Sequence, residues 1–135
     1  MRIARQALVI ALIALVPAGV AAWVHRGLFA DSEISLATAQ RLRGALWIDA
    51  RAAEDYEKAH VPDAYPLNED EWSALLPPVL QAWAPGQTAV VYCSSQSCQA
   101  SRAIAARLRE FKLGPVFVLR GGWESWNEST AAKKK

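Results

Sequence analysis

Short apolar runs alternate with helix-like segments along most of the chain. Five segments are candidate strands. They are EIS (33–35), ALWID (45–49), YPL (65–67), TAVVYC (88–93) and PVFVL (115–119). Apolar runs that alternate with helices are typical of parallel strands covered on both faces. The pattern therefore predicts an α/β domain built around a central parallel sheet.

The segments between the candidate strands are predicted to be helices. They are LATAQRLR (36–43), AAEDYEKAH (52–60), NEDEWSALLPPVLQAW (68–83), SCQASRAIAARLREF (97–111) and a short terminal helix that begins within RGGWESW (120–126). The third segment contains Pro77 and Pro78. Proline has no backbone N–H to donate and its ring clashes with the preceding helical turn. We therefore expect two short helices in this segment rather than one.

The first part of the chain, residues 1–30, has a different character. Arg2 and Arg5 precede residues 7–24, which carry no charge and just reach the length of a membrane-spanning helix. Cations ahead of such a helix predict that its start stays in the cytoplasm. A cleavable signal peptide fits the same residues, because small residues follow the apolar core. Both interpretations export the rest of the chain, which we expect to be periplasmic and, in the first case, anchored to the cytoplasmic membrane.

Length and composition limit the remaining organisation. The 135 residues suffice for one modest domain, which we place at residues 31–128, followed by a basic solvated tail at 129–135. The net charge of +2, from 15 basic and 13 acidic residues, gives no sign of a nucleic-acid-binding surface. The two cysteines lie five positions apart and far from both histidines, so their spacing does not predict a metal site.

Both cysteines lie where the most convincing candidate strand ends. Cys93 ends TAVVYC, and Cys98 follows a short stretch of small or polar residues. That stretch is Ser94, Ser95, Gln96 and Ser97. Reactive groups of parallel sheets collect at the carboxyl ends of the strands, where Asp49 also ends its own run. The loop N–H groups and a helix that begins near Cys98 or Gln99 would direct positive charge at Cys93 and favour a reactive thiolate.

Several motifs, in this order, resemble the single-domain rhodanese family of sulfurtransferases. The segment WIDARAAEDYEKAHVPDA (47–64) contains three of them: Asp49-x-Arg51, Glu54-x-Tyr56 and a turn with His60, Pro62 and Ala64. In that turn Asp63 stands where the family usually has glycine. VVYCSSQSC (90–98) aligns Cys93 with the active-site cysteine, and VLRGGWESW (118–126) resembles the C-terminal Gly-Gly-aromatic segment. The resemblance covers nearly all of the chain after residue 30.

This resemblance implies a rhodanese-like fold, with a central five-stranded parallel sheet, helices on both faces and here a preceding hydrophobic helix. It implies sulfur transfer through a persulfide on Cys93, with no cofactor, between a small sulfur donor and a thiol acceptor. Asp49 and Arg51 would support the site without taking a chemical step. Arg102 would either restore positive charge near the loop or be an ordinary solvated helix residue, and we favour the ordinary role.

The Cys93 loop departs from the family pattern and leaves other functions open. It has neither the usual glycine nor a cation, and Cys98 occupies a position where a loop cation often lies. The loop is also two residues longer than the common short form, which argues against simple thiosulfate chemistry. In an oxidising compartment the cysteines would tend to pair, with Cys98 resolving a persulfide or mixed disulfide. The alternatives are a thiol-disulfide redox protein with a membrane partner and a non-catalytic binding module.

Overall fold

The computed structural model of the protein describes residues 32–134, and the predicted N-terminal hydrophobic helix lies outside them. The strands are β1 (Glu33–Ile34), β2 (Leu46–Asp49), β3 (Tyr65–Pro66), β4 (Ala89–Tyr92) and β5 (Val116–Leu119). The helices are α1 (Leu36–Arg41), α2 (Ala53–Lys58), α3 (Trp72–Ala82), α4 (Ala100–Arg109) and α5 (Gly122–Ala132). Within residues 32–134, no helix combines the length and the apolar character needed to cross a bilayer.

The strands form one parallel sheet in the order β1-β5-β4-β2-β3. The central strand β4 pairs with β2 so that Val91 lies opposite Ile48 and Tyr92 opposite Asp49. The carboxyl ends of these two strands therefore meet at one edge of the sheet. The predicted α/β architecture with a five-stranded parallel sheet is confirmed, and the strand that leads into Cys93 is the central one.

Each face of the sheet buries its own apolar cluster. Alternate residues of a strand point to opposite faces, so Val91 packs with Ile48 in one cluster while Val90 and Tyr92 pack in the other. Helices α3 and α4 contribute Val79, Trp83, Ile104 and Leu108 to the first cluster. Trp47, Trp123 and Trp126 are partly buried against the second. Burial on both faces explains why the strands are continuous apolar runs.

The prediction that Pro77 and Pro78 split their segment into two helices is wrong. Helix α3 runs through both prolines without interruption, for 11 residues. The carbonyl groups that would have accepted from positions 77 and 78 belong to Ser73 and Ala74, which are exposed and can bond to water. On the opposite side, Val79 is fully buried in the core. Tertiary packing therefore stabilises the helix more than the prolines weaken it.

The last helix extends further than the predicted domain. Helix α5 continues to Ala132, so residues 129–132 of the predicted basic tail are helical. Lys133 and Lys134 follow the helix and are exposed. Lys133 and Lys134 are therefore solvated, whereas residues 129–132 extend α5.

Candidate functional site

Cys93 lies directly after β4, at the carboxyl edge of the sheet. Its neighbour Tyr92 is the last residue of β4 and pairs with Asp49, the last residue of β2. Cys93 itself is only 4% exposed. The chain then forms a loop that ends at Gln99, the residue before α4. The predicted nucleophile is therefore at the strand end where α/β proteins place their reactive groups.

The structure joins Cys93 to Cys98 by a disulfide bond. Their Cα atoms are 6.1 Å apart, within the usual range for such bonds. The bond closes the loop around Ser94, Ser95, Gln96 and Ser97. Cys98 is thus close enough to react with Cys93, and in this state Cys93 is not a thiol. Among residues 32–134, no cluster of side chains could hold a metal ion.

The first turn of α5 holds the beginning of this loop. The backbone N–H of Trp123 donates to the carbonyl oxygen of Cys93 at 2.7 Å, and that of Glu124 donates to Ser94 at 3.0 Å. The backbone of the preceding residue, Gly122, packs directly against the Cys93 carbonyl, and a Cβ atom on Gly122 would overlap that carbonyl. Glycine is therefore required at position 122 for this close approach to the cysteine.

We expect Gly122→Ala to destabilise the protein more than the matched change Gly44→Ala. Both glycines have positive φ, 53° and 72°, so alanine pays about 1–2 kcal/mol of backbone strain at either position. At Gly44 nothing lies within 4 Å of the added Cβ, whereas at Gly122 the Cβ overlaps the Cys93 carbonyl. Urea denaturation of both variants measures the difference. Equal losses in the free energy of unfolding would show that the close approach carries no cost.

A hydrogen-bond network centred on Glu33 of β1 holds the middle and end of the loop. Gln96 donates to Glu33 at 3.3 Å, and its side-chain oxygen accepts from the N–H of Gly121 at 2.7 Å. Arg102 donates to Glu33 at 2.6 Å and to the Cys98 carbonyl at 3.4 Å. Arg102 is therefore partly buried in an ion pair with Glu33 rather than simply solvated.

Glu33 should stabilise the protein at neutral pH and lose this effect in acid. The hydrogen bond from Arg102 is the main reason that the pKa of Glu33 lies below its ordinary value of 4.5. A lowered carboxyl pKa stabilises the fold above the unfolded-state pKa, and that contribution disappears as the pH falls through the folded-state pKa. We expect Glu33→Gln to cost about 0.5–1 kcal/mol near neutral pH.

The cost of Glu33→Gln should shrink towards zero in acid, which urea denaturation at several pH values would show. Glu57→Gln removes an exposed carboxylate from α2 and serves as the matched control. A cost that stays constant with pH would contradict an ionic role for Glu33.

Asp49 and Arg51 form a buried ion pair beneath the site. The Arg51 guanidinium donates to both Asp49 oxygens, at 2.7 Å and 3.0 Å, and to the Ala59 carbonyl at 2.6 Å. Burial by itself lowers the pKa of Arg51, but hydrogen bonding and attraction to Asp49 raise it overall. Burial, together with its hydrogen bond to Asp49, raises the pKa of Tyr92, so its hydroxyl stays protonated and donates at 2.7 Å. The pair ties three segments together at the carboxyl edge of the sheet.

A pocket of about 260 Å³ opens beside the start of the loop. Its lining combines an aromatic ring with charged groups of both signs: Arg51, Asp55, Lys58, Ala59, Ser94, Trp123 and Glu124. The Arg51 guanidinium lies 4.6 Å from the centre of the Trp123 ring. Because Asp49 neutralises Arg51 and Asp55 lies 3.8 Å from Lys58, the pocket is not strongly cationic.

Some residues of this site could not be predicted from the sequence. Glu33 is 63 positions from Gln96 and 69 from Arg102, and nothing in its local sequence marks it. Trp123 is partly buried against the second apolar cluster and lines the pocket as well. The only available signal for Trp123 was its place next to the Gly-Gly pair.

The comparison with protein families agrees with this arrangement. The model of the rhodanese-like domain matches residues 35–129. The chain therefore belongs to the family of rhodanese-like domains, and its five-stranded parallel sheet is that of the family. No curated protein matches the chain.

Solved structures with the same fold come from several bacteria. The BH2092 protein from Bacillus halodurans is 21% identical with a TM-score of 0.62, and the match covers 81% of this chain and 80% of that one. The thiosulfate sulfurtransferase from Pseudomonas aeruginosa is 24% identical with a TM-score of 0.58, over 73% of this chain but only 18% of its own. A rhodanese-like domain protein from Staphylococcus aureus is 15% identical with a TM-score of 0.56, and the match covers 70% of this chain and 90% of that one. These likenesses establish the fold.

Proposed function

We propose that the protein is a rhodanese-like sulfurtransferase that carries sulfane sulfur as a persulfide on Cys93. The observation that supports this most directly is the place of Cys93. It follows the central strand, begins a loop that leads into a helix, and adjoins a pocket at Ser94. A small sulfur donor would enter through that pocket.

The loop offers what a thiolate at Cys93 needs once the disulfide is reduced. Within the described part of the chain, the backbone N–H groups of residues 94–97 donate no hydrogen bond. They are therefore available to an anion, as successive N–H groups are in other anion-binding loops. Helix α4 is 10 residues long and begins where the loop ends, so its positive end adjoins the loop. Both effects favour the thiolate over the thiol.

Sulfur transfer then takes two steps. The Cys93 thiolate forms a bond to the outer sulfur of the donor, and the donor's own bond to that sulfur breaks with the electron pair left on the donor remainder. An acceptor thiolate next attacks the outer sulfur of the persulfide and releases the Cys93 thiolate. The acceptor leaves as a persulfide, so the protein is unchanged after one turnover.

Cys98 provides a second fate for the same persulfide. Its thiolate can attack the inner sulfur, which is the Cys93 Sγ, and expel the outer sulfur as hydrosulfide. This step forms the Cys93–Cys98 disulfide that the structure contains. Two thiols are then needed to restore the dithiol.

Intact mass spectrometry of the full-length protein tests the proposal. The protein is first reduced and desalted, and then treated with polysulfide or thiosulfate. A gain of one sulfur atom that maps to Cys93 is the expected result. Absence of any sulfur adduct, together with unchanged thiols, would refute the sulfurtransferase proposal.

The disulfide itself favours a second candidate function, a thiol-disulfide redox protein. In that case the two thiols would pass two electrons and two protons to a partner disulfide, and Cys93 and Cys98 would pair. The same mass measurement separates the two functions. For the redox function, the reduced protein is exposed to an oxidised partner in the absence of any sulfur donor. The expected result is then a mass loss of two hydrogens with no added sulfur.

We further propose that the domain works outside the cytoplasmic membrane. The support is the order of Arg2 and Arg5 ahead of the uncharged residues 7–24, which suits a single-pass anchor or a signal peptide. A reporter that is active only in the cytoplasm, fused after Lys135, should show little activity. Strong activity of that reporter would contradict export.

A further inference from the structure

The two cysteines of the disulfide differ in their solvent exposure. Cys93 is 4% exposed, whereas Cys98 is half-buried at the end of the loop. We infer that a reducing thiol opens the disulfide by attack on Cys98, that Cys93 leaves as the thiolate, and that negatively charged thiols are preferred. This inference rests on the proposed function for the role of Cys93. It can nevertheless be tested with no sulfur donor present.

Access to the attacked sulfur supports this direction. A thiolate approaches a disulfide in line with the S–S bond, from the side opposite the leaving sulfur, so the attacked sulfur must be reachable from solvent. Cys93 is only 4% exposed, and its carbonyl oxygen accepts from the Trp123 N–H and packs against the Gly122 backbone. Cys98 has no such cover from α5 among the described residues.

The stability of the leaving group supports the same direction. Exchange is faster when the departing thiol has the lower pKa. Cys93 begins the loop whose N–H groups at residues 94–97 have no acceptor within the described part of the chain. These donors can stabilise the negative charge that the Cys93 Sγ carries once the bond has broken. Attack at Cys93 would instead leave the charge on the more solvent-accessible Cys98.

Charged groups beside the loop indicate which thiols approach most readily. Arg102 and Arg120 share a single carboxylate, that of Glu33, at 2.6 Å and 4.0 Å. The three groups together carry one excess positive charge. Arg102 also bonds to the Cys98 carbonyl, and Arg120 is 60% exposed. This excess positive charge would attract a small thiol that carries a carboxylate or sulfonate.

The proposed reduction balances with two thiols. The first thiolate bonds to the Cys98 Sγ, and the Cys93–Cys98 bond breaks with both electrons left on Cys93. A second thiolate attacks the sulfur of the first thiol and releases the Cys98 thiolate. The small thiols leave as their own disulfide. The protein gains two electrons, and each released thiolate takes up a proton according to the pH.

The test uses the oxidised full-length protein and three small thiols. Mercaptoethanesulfonate is anionic, 2-mercaptoethanol is neutral and cysteamine is cationic, and their rates are compared at equal thiolate concentration. At low salt we expect the anionic thiol to be about two- to threefold faster than the neutral one and cysteamine to be slowest. High salt should remove the charge-dependent part of these differences and leave only the part that follows from the pKa of each thiol. Rate ratios that do not change between low and high salt would overturn the charge preference.

Site mapping completes the test. Rapid quenching with an alkylating agent should capture mercaptoethanesulfonate on Cys98 and the alkyl group on Cys93. Three results would contradict attack at Cys98. They are mercaptoethanesulfonate adducts on Cys93, equal amounts of adduct on both cysteines, and no adduct on either. Arg120→Gln should reduce the charge preference, while Arg43→Gln, at the opposite edge of the sheet ahead of β2, should preserve it. These results are independent of sulfur transfer, so each proposal can fail without the other.

Discussion

Cys93→Ser is expected to abolish persulfide formation on the protein. A serine hydroxyl stays protonated where the loop would stabilise a thiolate, and it does not attack a sulfane sulfur. Mass spectrometry after polysulfide treatment should find no added sulfur at position 93. The fold should persist, because the core clusters do not include this residue.

Cys98→Ser is the matched comparison and should separate the roles of the two cysteines. The loop N–H groups and the start of α4 remain in this variant, so the first step should be largely intact. The persulfide on Cys93 should live longer, since no thiol is left to resolve it. Equal loss of the first step in both variants would favour a cysteine-pair redox centre. If neither variant changes any thiol chemistry, the non-catalytic binding module is the better explanation.

Asp49→Ala should have the largest effect on stability, about 3–5 kcal/mol in the free energy of unfolding. The change leaves the buried Arg51 guanidinium without its carboxylate and removes the acceptor of the Tyr92 hydroxyl. Such a loss is comparable with the whole stability of a small domain. Urea denaturation monitored by tryptophan fluorescence would measure it.

Two further variants show whether this loss comes from the unpaired charge. Asp55→Ala breaks an exposed pair with Lys58, whose side chains are 49% and 73% accessible, and should cost at most about 1 kcal/mol. The double variant Asp49→Ala with Arg51→Met removes both charges and should recover part of the stability. If Asp49→Ala and Asp55→Ala cost the same, the buried pair would be no more important than a surface one.

Much of the fold could be predicted because strands that are buried on both faces appear in the sequence as apolar runs. Every residue of β4 is buried, since both faces of the strand are covered, and the strand leads straight into Cys93. Asp63 is an example of a departure that the structure explains. It adopts φ of 63°, in the left-handed region where glycine is easiest and Asp is tolerated better than most residues.

The remaining features depend on contacts between distant parts of the chain. Proline rules predicted a break in α3, but water can satisfy the exposed carbonyls and the core holds the helix. Glu33 contacts Gln96 and Arg102 only because β1 lies next to β5 in the sheet. A single sequence carries no local signal for such a contact. The candidate site was therefore predictable at Cys93 and incomplete around it.

The disulfide spans only five positions of the chain. In the chain-entropy account, closing so small a ring restricts the unfolded chain by about 2 kcal/mol, less than a long-range crosslink would. Neither sulfur belongs to the two apolar clusters. Opening and closing the bond should therefore change one surface segment while the domain stays intact. The domain should therefore pass between its dithiol and disulfide states repeatedly while it stays folded.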